Sequence, residues 1–101
     1  MRTIVWAEDG LNEYRRAIAY LAPRSPSAAQ RLADAIDQTI RALADNPTGR
    51  PGRVSGTYEK VLRKFPYIIA YEINQMPDGE QIAILGIIHT SRDWPDEAWP
   101  E

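Results

Sequence analysis

An α+β fold with the element order β-α-α-β-β-β is what this sequence predicts, and three observations carry that prediction. Between residues 8 and 45 the apolar side chains recur at three- and four-residue spacing, in two stretches separated by a break at Pro23. After residue 57 the spacing changes to two, and Asp78-Gly79 lies between two apolar runs, where a hairpin turn belongs. The chain has 101 residues, which fits one domain of the usual size of roughly 100–150 residues.

The elements follow in order. Thr3 to Ala7 holds Ile4, Val5 and Trp6, β-branched and aromatic residues that suit a short strand. Glu8, Asp9 and Gly10 open a helix, with acids where the N-terminal dipole favours them. Leu11, Tyr14, Ala17, Ile18 and Leu21 form its apolar stripe, with Glu13, Arg15 and Arg16 off it. A second helix begins either with Ser25 as cap and Pro26 at the first position, or with a Ser27/Gln30 capping box. Ala29, Leu32, Ala33, Ile36, Ile40 and Leu43 mark its face until Asn46-Pro47 ends it. So short a link between two amphipathic helices predicts an antiparallel hairpin.

Thr48 to Thr57 carries Gly49, Pro51, Gly52 and Gly56 and reads as a loop. A strand is expected next, with Tyr58, Lys60, Leu62 and Lys64 on one face and Glu59, Val61 and Arg63 on the other. Arg63 is expected to pair with an acid such as Glu72. Tyr67 to Ile73 and Gln81 to Ile88 are two further strands, apolar enough to lie centrally, joined through Met76-Pro77-Asp78-Gly79. These three strands form an antiparallel meander that covers the helical hairpin. Residues 1–95 make one domain, followed by a short acidic tail at 96–101.

Composition narrows the chemistry. There is no cysteine, which removes disulfides, thiolate metal sites and cysteine nucleophiles. His89 is the only histidine, so a multi-imidazole zinc site is excluded. Gly49-x-x-Gly52 lacks the Lys-Ser/Thr of a phosphate-binding loop, and Glu8-Asp9, Asp34/Asp37 and Asp96-Glu97 read as helix-start, solvent-facing and tail charge. No cofactor and no metal are expected. The longest apolar run, Ile82 to Ile88, falls far short of the roughly 20 residues a membrane span needs. The residues after Met1 reach Glu8 and Asp9 too soon for a signal peptide. The expectation is a soluble cytoplasmic protein without a membrane partner.

The net charge of −2 conceals a division. Residues 50–64 hold Arg50, Arg53, Lys60, Arg63 and Lys64 against Glu59 alone, a balance of +4, whereas residues 65–101 hold Arg92 against seven acids, a balance of −6. An anionic partner would therefore dock at the central basic stretch, although solvated loop and edge charges are the plainer account. His89 is the default acid or base by its pKa, and a structural role at the end of the last strand is the favoured alternative. Arg92 beside Asp93 pairs locally or serves as a functional cation. Trp94 is either an interface anchor or a residue folded back on the sheet.

Val5-Trp6, the two-helix hairpin, Gly49-Arg50-Pro51-Gly52-Arg53-Val54-x-Gly56-Thr57, Pro66-Tyr67-Ile68-Ile69-Ala70-Tyr71 and His89-x-x-Arg92-Asp93-Trp94-Pro95 occur here in sequence. In that order they resemble the RelE/ParE superfamily, small toxins of bacterial type II toxin–antitoxin operons, also called plasmid-stabilisation proteins. The resemblance runs over roughly residues 3 to 95. It implies the superfamily's helical hairpin on a small antiparallel sheet, a growth-arresting activity, and neutralisation by a cognate antitoxin protein in a hetero-oligomer.

Two activities are implied by the resemblance. ParE-like members block DNA gyrase; RelE-like members cut mRNA in the ribosome. RNA cleavage requires a group to activate a 2′-hydroxyl and cations to stabilise the phosphate. At the positions where RelE-like enzymes carry these cations, this chain has Glu59, Val61 and Ile68; a shift of one residue would supply Lys60. The ParE-like reading therefore leads, with Arg50, Arg53, Lys60, Lys64, Arg92 and Trp94 toward the target and Arg15 and Arg16 toward the antitoxin. The alternative endoribonuclease would use Arg50, Arg53, Lys60, Arg63, His89 and Arg92.

Overall fold

The computed structural model describes residues 2–90. Its elements are β1 (Thr3–Trp6), α1 (Glu8–Leu21), α2 (Pro26–Asp45), β2 (Arg50–Pro51), β3 (Tyr58–Val61), β4 (Tyr67–Met76) and β5 (Gly79–His89). The β-α-α-β-β-β order is present, with one addition: the expected loop contains the two-residue strand β2. The five strands form one sheet in the order β1-β5-β4-β3-β2, with β1 parallel to β5 and the other pairs antiparallel.

The helices begin where local chemistry allows. Ser25 caps α2 by accepting the Ala28 N–H at 3.3 Å, with Pro26 at the helix start. The capping-box alternative is not used, because Ser27 is already inside the helix and its Oγ accepts from Arg31 Nη1 at 3.2 Å. Glu8 and Asp9 occupy the first turn of α1, whose cap residue Ala7 offers no side-chain acceptor. Leu32, Ile36, Ile40 and Leu43 of α2 and Ala17 of α1 are buried against the sheet.

β5 is paired on both edges, with β1 and β4, and Ile82 to Ile88 are buried throughout. Its pairing with β4 jumps from Ala70↔Gly86 to Tyr71↔Ile84, leaving Leu85 as an extra residue. The bulge switches the parity of the strand. Ile82, Ile84 and Ile87 all enter the core under the helices, while Ala83, Leu85 and Ile88 join Ala70 in a cluster on the opposite face.

Helix α1 lies close on β5. A Cβ at Gly10 would collide with the Ile84 carbonyl oxygen, so only glycine permits this approach. One turn later Glu13 accepts the Ile87 N–H at 3.1 Å. β1 pairs with β5 only over Gln81 to Ile84, so this carboxylate satisfies a donor on the stretch beyond β1's reach. At the other end Arg2 joins three elements. Its Nε meets Glu80 Oε1 at 2.6 Å, and its Nη1 donates to the Ala44 and Asp45 carbonyls at the end of α2, at 3.3 and 3.2 Å.

One strand is shorter than expected. β3 ends at Val61 instead of reaching Lys64, and residues 63–66 turn so that the Leu62 N–H bonds the Tyr67 carbonyl at 3.0 Å. Pro66, which has no N–H to give a ladder, lies in this turn. Arg63 is therefore exposed in the turn, outside the alternation that was to aim it at Glu72.

Two outcomes test this construction. Gly10→Ala should destabilise the fold by about 1–3 kcal/mol, because α1 must lift from β5; thermal unfolding measures it. The Glu80 carboxyl is held below the usual carboxylate range, first by the Gln75 side-chain hydrogen bond and then by Arg2. A carboxylate with a depressed folded pKa contributes stability that is present above its unfolded pKa and lost as pH falls through the folded one. Arg2→Ala should thus lower the melting temperature at neutral pH, with the gap to the parent narrowing on acidification through the titration of Glu80.

Candidate functional site

The basic stretch folds around a buried acid. Glu59 is 5% exposed and pairs with Arg50 across β2 and β3, which puts both side chains on the face of the sheet away from the helices. Its Oε1 accepts from Arg50 Nη2 at 3.2 Å, and its Oε2 accepts from the Arg53 N–H at 3.1 Å and lies 3.6 Å from Arg53 Nε. The arginine side chains remain partly outside, 60% exposed at Arg50 and 34% at Arg53. A carboxylate taken from water must be paired, and here two cations and a backbone donor pair it.

Other contacts fix the same loop. The Gly49 N–H donates to the hydroxyl of Tyr71 at 2.9 Å, and a Cβ at Gly49 would clash with that hydroxyl at 2.5 Å. Tyr71 is fully buried, and its ring stacks on Tyr58 with centroids 5.5 Å apart. Burial pushes the Tyr71 phenol above its ordinary pKa, with the Gly49 hydrogen bond pulling the other way and Tyr58 adding to the rise. The Gly52 N–H bonds the Thr57 carbonyl at 2.9 Å, and Thr57 Oγ1 donates to Val54 at 2.6 Å. Lys60 lies on the helix side of β3 and donates to Thr48 Oγ1 at 2.7 Å. Lys64 is exposed in the turn after β3.

A separate cleft of about 630 Å³ opens on the helix side, between α1, the start of α2, the 63–66 turn and the end of β5. Ala17, Leu21, Phe65 and Ile87 give it an apolar lining, with Glu13, Arg16, Tyr20 and His89 as its polar and aromatic groups. His89 is half-buried at the end of β5, with its ring edge-on to Tyr67 at 5.1 Å. Arg15 and Arg16 are both exposed on α1, and Arg16 lines the cleft. Arg92 and Trp94 lie outside the described residues, as does the 96–101 tail.

The structure thus groups Arg50 with Arg53 and separates both from His89. Lys60 and His89 share the helix side, but β4 lies between their strands, a separation of about 10 Å at the usual strand spacing. The two arginines belong to the opposite face. Sequence reasoning treated Glu59 as an acid among five bases and missed that it organises two of them. Its isolation in a +4 segment was the available signal. The Tyr71 hydroxyl was missed too, because its partner Gly49 is 22 residues away.

Solved structures share this architecture. The chain superposes on a chain from the chromosomal ParDE TA system of P. aeruginosa with a TM-score of 0.77, covering 90% of this chain and 98% of that one at 19% identity. A YoeB/ParE toxin from Agrobacterium tumefaciens gives 0.60, covering 86% and 97% at 13% identity. In sequence, the protein named "Putative toxin Y4kP" of Sinorhizobium fredii is 36% identical over 95 residues, 93% of this chain and 94% of its own length. The family described as the ParE toxin of the type II toxin-antitoxin system parDE matches residues 4–94. The chain belongs to this ParE toxin family.

The buried acid changes what substitutions in the loop should do. Arg53→Glu should cost about 2 kcal/mol of stability or more, since it removes a partner of Glu59 and adds a second carboxylate. Arg63→Ala, at an exposed turn position, should stay within about 0.5 kcal/mol of the parent. Chemical denaturation of the two variants side by side measures both.

Proposed function

We propose that this ParE-family toxin arrests growth by binding and blocking DNA gyrase, and that a cognate antitoxin neutralises it in a toxin–antitoxin hetero-oligomer. Membership of the parDE toxin family over residues 4–94 is the observation that carries the proposal. The separation of Arg50 and Arg53 from Lys60 and His89 supports it, because RNA cleavage needs an acid, a base and cations around one phosphate. In this reading Arg50 and Arg53 of the basic loop meet the target, together with Lys60 on the helix side of β3 and Lys64 in the turn after it; Arg92 and Trp94 complete the surface proposed from sequence. Arg16, which lines the cleft, and its neighbour Arg15 on α1 meet the antitoxin, an amphipathic segment being suited to an apolar lining with charged groups, Glu13 and Arg16, at its edge. Such a protein acts in the cytoplasm in plasmid stabilisation; among the described residues no helix is long and apolar enough to cross a membrane.

Induced expression followed by parallel assays of DNA supercoiling and mRNA integrity tests this function. The expected result is growth arrest with loss of supercoiling and intact mRNA, unchanged by His89→Ala if that variant folds. Ribosome-dependent mRNA cleavage by the parent would overturn the gyrase assignment. Charge reversal at Arg15 and Arg16 together should weaken antitoxin binding by at least tenfold while leaving growth arrest in place.

A further inference from the structure

We infer that Glu59 is a positioning residue for target recognition: its buried carboxylate fixes how Arg50 and Arg53 present their guanidinium groups. The inference rests on the reading that the basic loop meets the target.

Three observations lead to it. First, the acid lies inside while its partners lie toward the surface, 5% against 60% and 34% exposed. Second, Glu59 stands on an apolar background. It pairs with Ala70 on β4, and Val54 packs on the same face of the sheet. A hydrophobic side chain of similar volume would suit that place, and replacing buried ion pairs by apolar groups is often neutral or stabilising. Third, what an apolar residue could not do is hold two long cations. Arg50 and Arg53 flank Pro51-Gly52 on a loop that also carries Gly56 at φ +86°, and arginine side chains have much rotamer freedom to lose on binding. Glu59 engages Arg50 through Nη2 and Arg53 through both its backbone N–H and Nε. Because a guanidinium is a rigid planar fork, fixing one edge fixes the direction of the others. The cost of ordering both side chains is then met in folding and not at the encounter. The chemistry so arranged suits carboxylates on an acidic protein surface.

The test compares Glu59→Leu and Glu59→Gln with the parent. Melting temperature and NMR of the Arg53 amide and arginine Nε–H groups report on the chain alone. Supercoiling inhibition by purified protein, with growth arrest at matched expression, reports on function. Glu59→Leu should melt close to the parent, lose protection at the Arg53 amide and inhibit about tenfold less well, with Glu59→Gln in between because it keeps an acceptor oxygen. A merely structural Glu59 predicts the opposite, full inhibition wherever the fold survives, so a folded, fully inhibitory Glu59→Leu would overturn the inference. If Glu59→Leu does not fold, Glu59→Gln carries the same comparison. Should the parent arrest growth without inhibiting gyrase, the target assignment fails, and growth arrest by folded Glu59 variants alone decides the role of Glu59. A parent without either effect would overturn both.

Discussion

The architecture depends on β5 being buried on both faces at once. Its run from Ile82 to Ile88 has no polar side chain, so the strand requires neighbours on each edge and cover above and below. β1 and β4 supply the edges, and the helical hairpin supplies one cover. The demand continues past the end of β1, where a helix takes over from a strand: Gly10 brings α1 onto the β5 backbone, and Glu13 replaces the missing strand carbonyl at Ile87. Arg2 closes the other end of the same arrangement by tying β5 and the end of α2 to the start of the chain.

The opposite edge of the sheet follows a different logic. There the core thins out, β2 is only two residues long, and order comes from polar contacts in place of apolar burial. Glu59 gathers Arg50 and Arg53, and the buried Tyr71 hydroxyl holds Gly49. Both anchors project from central or neighbouring strands into the loop, so the loop inherits rigidity from the sheet. A surface of this kind carries function on a loop while the scaffold sets its geometry.

The two candidate surfaces face different ways. The arginine cluster belongs to the helix-free face at the β2 edge, whereas the cleft beside Arg16 and His89 belongs to the helix side near the end of β5. In the proposed function this lets one small domain present separate surfaces to its target and its antitoxin. Among the described residues it also keeps Arg50 and Arg53 apart from Lys60 and His89, which lie on the helix side of the sheet.

By itself the sequence determined the element types and their order apart from β2, because these rest on local signals: the 3.6 and 2 periodicities, the Ser25-Pro26 start, the turn at Met76-Pro77-Asp78-Gly79. It also carried the family, through short motifs in a fixed order. What tertiary structure decided was everything that depends on pairing across distance. Strict alternation along β5 would put Ile82, Ile84 and Ile88 on one face; the bulge at Leu85, set by β4, substitutes Ile87 for Ile88. Likewise Glu59 reads as one more strand-surface charge until β2 brings Arg50 opposite it, and Arg63 reads as a strand residue until the turn at 63–66 exposes it. Periodicity is a property of one segment and is written in its residues; register and charge pairing are properties of two segments, and only the folded chain brings the second one into place.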